Sequence, residues 1–92
     1  MLEREVRIVN PLGLHARAAA KLVRLARTFK SRVMIENRAV NAEANAKSIL
    51  SILALAAPLG SAIHIIASGD DESDALAAVT RLFEEGFGEL EQ

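Results

Sequence analysis

The pattern of apolar and polar positions along the chain has two periods, and the shorter one predicts β-strands. In the first segment, Val6 and Ile8 alternate with charged residues, which is typical of a strand with one buried face. Val33 and Ile35 repeat the pattern, and Ile63, Ile65 and Ala67 extend it over a longer segment. Four strands are predicted, at residues 2–9, 32–36, 42–46 and 61–68.

Apolar residues spaced three and four positions apart predict three helices between these strands. They are placed at residues 16–29, 47–57 and 74–85. In the first helix the apolar positions share one face: Ala19, Leu22, Val23, Ala26 and Phe29. The second is apolar nearly all round and stops at Pro58, and the third is followed by Gly86, a typical helix C-cap residue.

The predicted order of elements is β-α-β-β-α-β-α, which favours an α+β fold. We expect an open-faced β-sandwich, in which a four-stranded antiparallel sheet carries three helices on one face. A chain of 92 residues is long enough for one small domain and too short for two, so residues 1–92 are expected to form a single domain.

Composition excludes several classes of function. The chain has no cysteine, which excludes disulfides, thiol catalysis and cysteine-based zinc sites, and we expect neither a metal site nor a cofactor. Aromatic residues make up only 3%, which argues against a base-stacking surface for nucleic acid. The charged N-terminus is unlike a signal peptide, and no apolar run is long enough to span a bilayer. A cytoplasmic protein without membrane association is expected.

Charge is distributed unevenly although the net charge is only −1. Residues 15–32 contain six basic residues and no acid. Arg17, Lys21 and Arg24 fall on one face of the first helix, and we call these three residues the basic stripe. The acids at the start of the last helix, Asp70, Asp71, Glu72 and Asp74, are expected to complement its dipole.

His15 is the principal candidate for chemistry. It follows the turn Asn10–Gly13 and precedes the first helical residues, so it lies at or next to the N-cap, where unpaired backbone N–H groups favour an anion. An imidazole at this place can accept a phosphoryl group, and Arg17 can reach the same oxygens with a bidentate guanidinium. Spacing alone leaves open a plain alternative, a weak N-cap histidine beside an ordinary surface arginine.

Three stretches of the sequence resemble a known family. The stretch GLHARAAAKLV, followed about thirty residues later by NAKSILSILALAAPLG and near the end by EEGFGE, resembles the histidine-containing phosphocarrier (HPr) family of the bacterial phosphotransferase system. The resemblance covers nearly the whole chain in the expected order. It implies the same open-faced sandwich, and a phosphoryl carrier rather than a stand-alone catalyst.

The resemblance also implies roles and partners. His15 would be phosphorylated through Nδ1, with enzyme I as donor and enzyme IIA domains of sugar uptake or its regulation as acceptors. Arg17 would stabilise the transferring group. Ser48, which starts the second helix, would be the site of regulatory phosphorylation by HPr kinase/phosphorylase, whereas its plain role is that of a helix N-cap. Lys47 is expected to be a solvated neighbour.

The second helix carries more apolar residues than a short helix can bury. Ile52 and Leu55 are expected in the core, whereas Ile49, Leu50 and Leu53 are expected to form an exposed docking patch. Lys21 and Arg24 would contribute to its charged rim. In HPr-like proteins the matching positions meet enzyme I and enzyme IIA domains.

The sequence departs from the family pattern at two places. Ala18 replaces the proline that often follows the arginine, and the hairpin NRAVNA is about two residues longer than usual.

Two alternative functions are compatible with the sequence. Inside the family, the nitrogen-branch paralogue performs the same chemistry with other partners. Outside it, a small β-α-β ligand-binding or RNA-binding module has the same layout, but an RNA-binding module would need aromatic residues on its sheet and a ligand-binding module would usually need a dimer. We therefore expect a monomer.

Overall fold

The computed structural model describes residues 1–90, and these residues form the predicted order of strands and helices. The strands are β1 Leu2–Arg7, β2 Arg32–Asn37, β3 Ala42–Asn45 and β4 Ala62–Ser68. The helices are α1 Ala16–Ala26, α2 Ile49–Leu55 and α3 Glu72–Glu84. Two short 3₁₀ helices, Arg38–Val40 and Gly86–Gly88, follow β2 and α3. The predicted α+β fold class is confirmed.

The four strands form one antiparallel sheet in the order β1-β4-β2-β3. The two inner strands, β2 and β4, have fully buried inward positions, as alternation predicted: Val33, Ile35, Ile63, Ile65 and Ala67. The opposite face of the sheet carries no helix and is polar at its centre, where His64 pairs in register with Glu5 and Glu36. Side chains that alternate between a core and a solvent face therefore fix the register.

The helices cover the buried face of the sheet. The inward face of α1 consists of Ala18, Ala19, Leu22, Val23 and Ala26, and that of α3 includes Ala75, Leu76, Val79 and Phe83. In α2 only Ile52 and Leu55 are buried, as predicted. Phe87, just beyond α3, packs edge-on against Phe83 with ring centroids 4.9 Å apart, and both rings are buried in the core.

Several element boundaries differ from the predictions for local reasons. The first helix ends at Ala26 rather than at residue 29, because the N–H groups of Thr28 and Phe29 bond three residues back in a tighter turn. The second helix begins at Ile49, since the Ser48 side chain accepts the Ser51 N–H at 3.3 Å as an N-cap. It ends before Ala56, whose left-handed backbone (φ 48°) stops the helix.

Hydrogen bonds define the surroundings of two surface residues, and one of them corrects a prediction. Asp71 occupies the N-cap position of α3, but its carboxylate accepts the N–H groups of Lys30 and Ser31 and the Ser31 hydroxyl instead of capping the helix. Lys47 is not simply solvated, because its ammonium donates to the carbonyl of Phe29 at 2.8 Å. Both contacts join the end of the α1 segment to elements distant in the sequence.

Candidate active site

A tight turn after β1 brings the candidate histidine to the start of α1. The Gly13 N–H donates to the carbonyl of Asn10, and the Leu14 N–H donates to the carbonyl of Ala57, both within 3.1 Å. Gly13 has a left-handed backbone (φ 65°), and a Cβ on it would lie 2.4 Å from the Ala57 carbonyl oxygen. Only glycine combines this backbone with such a close approach. Ala57, two residues beyond the end of α2, thereby supports the turn that precedes His15.

His15 is the N-cap of α1. Its backbone is extended, and its carbonyl accepts the Ala19 N–H as the first hydrogen bond of the helix. The ring Nδ1 accepts the Arg17 N–H at 3.3 Å. A backbone N–H only donates, so Nδ1 carries a lone pair and faces the helix N-terminus. No acidic residue lies in the first turn of α1, so an anion there would meet no repulsion from that turn.

The other ring nitrogen meets a residue that sequence analysis missed. Nε2 of His15 lies 2.8 Å from a carboxylate oxygen of Glu89, and both side chains are largely buried, with exposed fractions of 23% and 12%. The second oxygen of Glu89 accepts from Asn10 Nδ2 at 3.0 Å. Glu89 lies 74 residues beyond His15 and is the last residue of the EEGFGE stretch. That stretch contributed to the family resemblance, but nothing in it indicated a contact with His15.

The environment of Glu89 keeps it ionised. Desolvation acts to raise the pKa of Glu89, but the hydrogen bonds from Asn10 and His15 and the positive charges of protonated His15 and Arg17 outweigh it. The pKa of Glu89 therefore lies below its ordinary value. At neutral pH the side chain is a carboxylate that only accepts hydrogen bonds.

The residues of the basic stripe differ in their hydrogen bonds. Arg17 is exposed, and its guanidinium makes no hydrogen bond or ion pair within the described part of the chain. Arg24 is exposed as well. The Lys21 ammonium donates to the Phe87 carbonyl at 2.6 Å. Arg17 thus has a guanidinium available to an incoming group, whereas Lys21 anchors the C-terminal segment.

The three predicted patch residues are exposed. The exposed fractions are 76% for Leu50, 38% for Ile49 and 36% for Leu53. Leu53 lines a shallow cleft together with Leu12 and His15. The exposed apolar face of α2, the residues Ile49, Leu50 and Leu53, is named the α2 patch, and it adjoins the candidate histidine.

Ser48 is half-buried at the N-cap of α2, next to the α2 patch. Ala18 is fully buried, and α1 begins at Ala16. Within residues 1–90 there is no group of three or more histidine, cysteine, aspartate or glutamate side chains that could hold a metal ion. No helix in the same range is long and apolar enough to cross a membrane.

The sequence of this chain is similar to those of known proteins. The sequence matches the family model described as "PTS HPr component phosphorylation site" over residues 2–85. It is 44% identical to the phosphocarrier protein HPr of Xylella fastidiosa (strain Temecula1) over 97% of this chain and 98% of that protein. It is 48% identical to the phosphocarrier protein NPr of Proteus mirabilis over 94% of each.

Solved structures give the same result for the fold. HPr-C-His from Thermoanaerobacter tengcongensis has a TM-score of 0.90 and 42% identity to this chain, covering 97% of this chain and 98% of its own. The histidine-containing phosphocarrier protein of a Mycoplasma has a TM-score of 0.83 at 31% identity, with coverages of 92% and 96%.

Proposed function

The chain belongs to the HPr family of the phosphotransferase system, whose function is that of a phosphocarrier, and we propose that Nδ1 of His15 is the atom that carries the phosphoryl group. One observation carries the proposal: Nδ1 holds a lone pair and faces the backbone N–H of Arg17 at the start of α1. The alternative of a ligand-binding or RNA-binding β-α-β module is not favoured.

The transfer step follows from this geometry. The Nδ1 lone pair attacks the phosphorus of a phosphohistidine on the donor, a new N–P bond forms, and the donor's N–P bond breaks. Since the lone pair is then used, the Arg17 N–H loses its acceptor on the ring and becomes available to a phosphoryl oxygen. The Arg17 guanidinium makes no hydrogen bond within residues 1–90 and can bind the remaining oxygens bidentately.

The strength of this anion site suits a carrier. The dipole of a helix end contributes ~0.3–1 kcal/mol at an exposed position. A hydrogen bond to a charged group contributes about 1.5–3 kcal/mol. Such modest terms orient the phosphoryl group without trapping it, so that transfer to an acceptor remains possible.

The proposed partners are enzyme I as donor and enzyme IIA domains as acceptors. The α2 patch adjoins His15, and the exposed cations Arg17 and Arg24 lie on the neighbouring helix, so an apolar centre with a charged rim surrounds the reactive nitrogen. The similarity to proteins named HPr and to one named NPr leaves both the sugar and the nitrogen branch as candidates. Comparing the phosphorylation rates with enzyme I of each branch would assign the chain to one of them.

Regulation through Ser48 is also proposed, with HPr kinase/phosphorylase as the enzyme that would modify it. Support comes from its half-buried place at the N-cap of α2, beside Ile49 and Leu50.

We also propose that residues 1–92 form a single domain that acts as a cytoplasmic monomer. One hydrophobic core shared by the sheet and all three helices supports the single domain. Sedimentation of the purified protein measures the oligomeric state.

The deciding experiment is incubation with enzyme I and phosphoenolpyruvate, followed by intact mass. One acid-labile phosphoryl group should be added to the wild type. It should be absent in His15→Ala and present in His64→Ala, which is a matched control on the open face of the sheet. Labelling of His15→Ala, with its circular dichroism unchanged, would contradict the assignment.

A further inference from the structure

We propose that Glu89 is a positioning residue for His15, which keeps the ring proton on Nε2 and compensates the positive charge that the ring acquires when Nδ1 takes up a phosphoryl group. This inference rests on the proposed function, because it assigns a role to Glu89 in the same transfer.

The hydrogen bonds of the ring assign its proton. Nδ1 accepts the Arg17 N–H, so in the neutral ring the proton cannot lie on Nδ1. Glu89 is a carboxylate and only accepts, so Nε2, 2.8 Å away, must donate to it. Both contacts select the same tautomer, and that tautomer leaves the lone pair on the atom that faces the helix N-terminus.

The carboxylate is held in place from its other side. Asn10 is fully buried, and its Nδ2 donates both to the Gly13 carbonyl at 2.9 Å and to Glu89 at 3.0 Å. Both partners are acceptors, so the orientation of the Asn10 amide is fixed. Each Glu89 oxygen therefore has a separate donor, one from the turn that precedes His15 and one from His15 itself.

The backbone of the C-terminal segment is anchored as well. Phe87 is 99% buried against Phe83 and has a left-handed backbone (φ 56°), which is uncommon for a residue with a side chain. The Lys21 ammonium donates to the Phe87 carbonyl. This turn reverses the chain after α3 and directs Glu89 towards the turn at residues 10–13. The contact between Glu89 and His15 is thus built into packed structure on both sides.

The charge on the ring changes during transfer. Transfer requires the form of the imidazole that has a lone pair on Nδ1 and its proton on Nε2. Formation of the Nδ1–P bond uses the lone pair and leaves the ring positive, while the proton remains on Nε2. When the phosphoryl group passes to the acceptor, the N–P bond breaks, the lone pair returns to Nδ1 and the ring is neutral again. A carboxylate 2.8 Å from Nε2 stabilises the positive ring more than the neutral one, which lowers the barrier to phosphorylation.

The experiment compares Glu89→Gln and Glu89→Ala with wild type, using full-length protein and phosphorylated enzyme I. Asn10 and His15 each donate to a separate oxygen of Glu89. Glutamine offers only one acceptor oxygen for these two donors, and alanine offers none. We expect kcat for His15 phosphorylation to fall about tenfold in both variants, equivalent to ~1.4 kcal/mol. The apparent KM for enzyme I should not change, because the α2 patch is intact. In Glu89→Ala, ¹⁵N NMR of the His15 ring should show the proton partly on Nδ1.

Glu84→Gln is the matched control, since Glu84 is exposed on α3 and its substitution also removes one acidic charge. It should retain the wild-type kcat and ring spectrum. A wild-type kcat and ring spectrum in both Glu89 variants would overturn the inference. Should the variants fail to fold, the ring spectrum of the wild type decides: a proton on Nε2 supports the inference, and a substantial fraction on Nδ1 overturns it.

The two proposals fail in different ways. If wild-type protein is not labelled on His15, the proposed function is wrong whatever Glu89 does. If His15 is labelled equally fast with and without the Glu89 carboxylate, the proposed function stands and only the positioning role is wrong.

Discussion

At the scale of single residues, the candidate site combines a ring nitrogen that carries a lone pair with an exposed guanidinium. Nδ1 of His15 points at the start of α1, and the Arg17 guanidinium makes no hydrogen bond within residues 1–90. Arg17 is exposed, so its electrostatic attraction to Glu89 contributes little to stability. Its contribution should therefore be visible in the transfer rate and not in stability.

Substitution of Arg17 tests that contribution. Arg17→Ala should lower kcat for His15 phosphorylation by about 100-fold, because the guanidinium acts on the charge of the moving phosphoryl group. Arg17→Lys should recover only part, since an ammonium cannot bind two oxygens in parallel. Steady-state kinetics with phosphorylated enzyme I measures both.

Arg24→Ala serves as the control for Arg17, because Arg24 is exposed on the same helix but lies two turns from His15. It should raise the apparent KM and leave kcat unchanged. A full rate in Arg17→Lys would show that a bare positive charge is enough and that the bidentate role is wrong.

At the scale of elements, α2 has two functions on opposite faces. Ile52 and Leu55 join the core, whereas Ile49, Leu50 and Leu53 form the exposed α2 patch, and Ser48 caps the helix beside that patch. A seven-residue helix with this composition is held by packing and capping rather than by its own propensity. Changes on its exposed face should therefore affect docking more than folding.

Leu50→Glu tests docking by the α2 patch. Leu50 is 76% exposed, so its substitution should shift Tm by less than about 4 °C. The apparent KM for enzyme I should rise about tenfold, because a charge would have to be desolvated in an apolar contact. Ala77→Glu, on the exposed side of α3, is the control and should leave KM unchanged. A collapse of Tm in Leu50→Glu would mark Leu50 as a core residue.

Ser48→Asp tests regulation at the same helix. Aspartate is a good N-cap, so Tm should be retained or raised, whereas Ser48→Ala should lose about 1 kcal/mol with the cap. The rate of His15 phosphorylation should fall in Ser48→Asp, because a negative charge then adjoins Ile49 and Leu50, and should stay near normal in Ser48→Ala. A phosphate, with about −1.5 to −2 charges, should slow it further.

Ser73→Asp places the same charge in the first turn of α3 and controls for charge alone. Equal phosphorylation rates for wild type, Ser48→Asp and the phosphoserine form would show that Ser48 is only a helix cap.

At the scale of the whole molecule, contacts between distant segments connect the ends of the elements. Asp71 at the start of α3 holds the loop before β2, and the hydrogen bonds from the Ser31 side chain, the Lys30 N–H and the Ser31 N–H lower the pKa of Asp71 to about 2. The pKa of Asp71 is thus lower in the folded protein than its ordinary value of 3.8. Its contribution to stability is therefore complete above that value and is lost as the pH falls from about 4 towards 2.

Asp71→Asn tests this contribution. Thermal unfolding should show a lower Tm than wild type at pH 7, and the difference should close as the pH falls from 4 to 2. Asp70→Asn is the control, because Asp70 makes no hydrogen bond through its side chain within the described residues, and its Tm should follow the wild type throughout. A difference between Asp71→Asn and wild type that stays constant down to pH 2 would contradict the assignment.

Local patterns were enough to predict the order of the elements and the place of the candidate histidine at a helix start. Alternation at Val33 and Ile35 predicted a strand and its buried face, because successive side chains of a strand point to opposite sides. The turn before His15, followed by helical periodicity, predicted an N-cap histidine, and the resemblance to the HPr family predicted its role. These features depend on residues within a few positions of one another, where backbone geometry fixes the relation between sequence and structure.

Only the tertiary structure determined the partners of those residues. The contact between His15 and Glu89 joins positions 74 residues apart, and it depends on the left-handed backbone of Phe87 and on the buried amide of Asn10. Lys47 was expected to be solvated, but packing brings the carbonyl of Phe29 to its ammonium group. Packing also brings the carbonyl of Phe87 to the ammonium group of Lys21. Such contacts have no period or spacing in the sequence, because the paths of separate elements around a shared core set the distances between them.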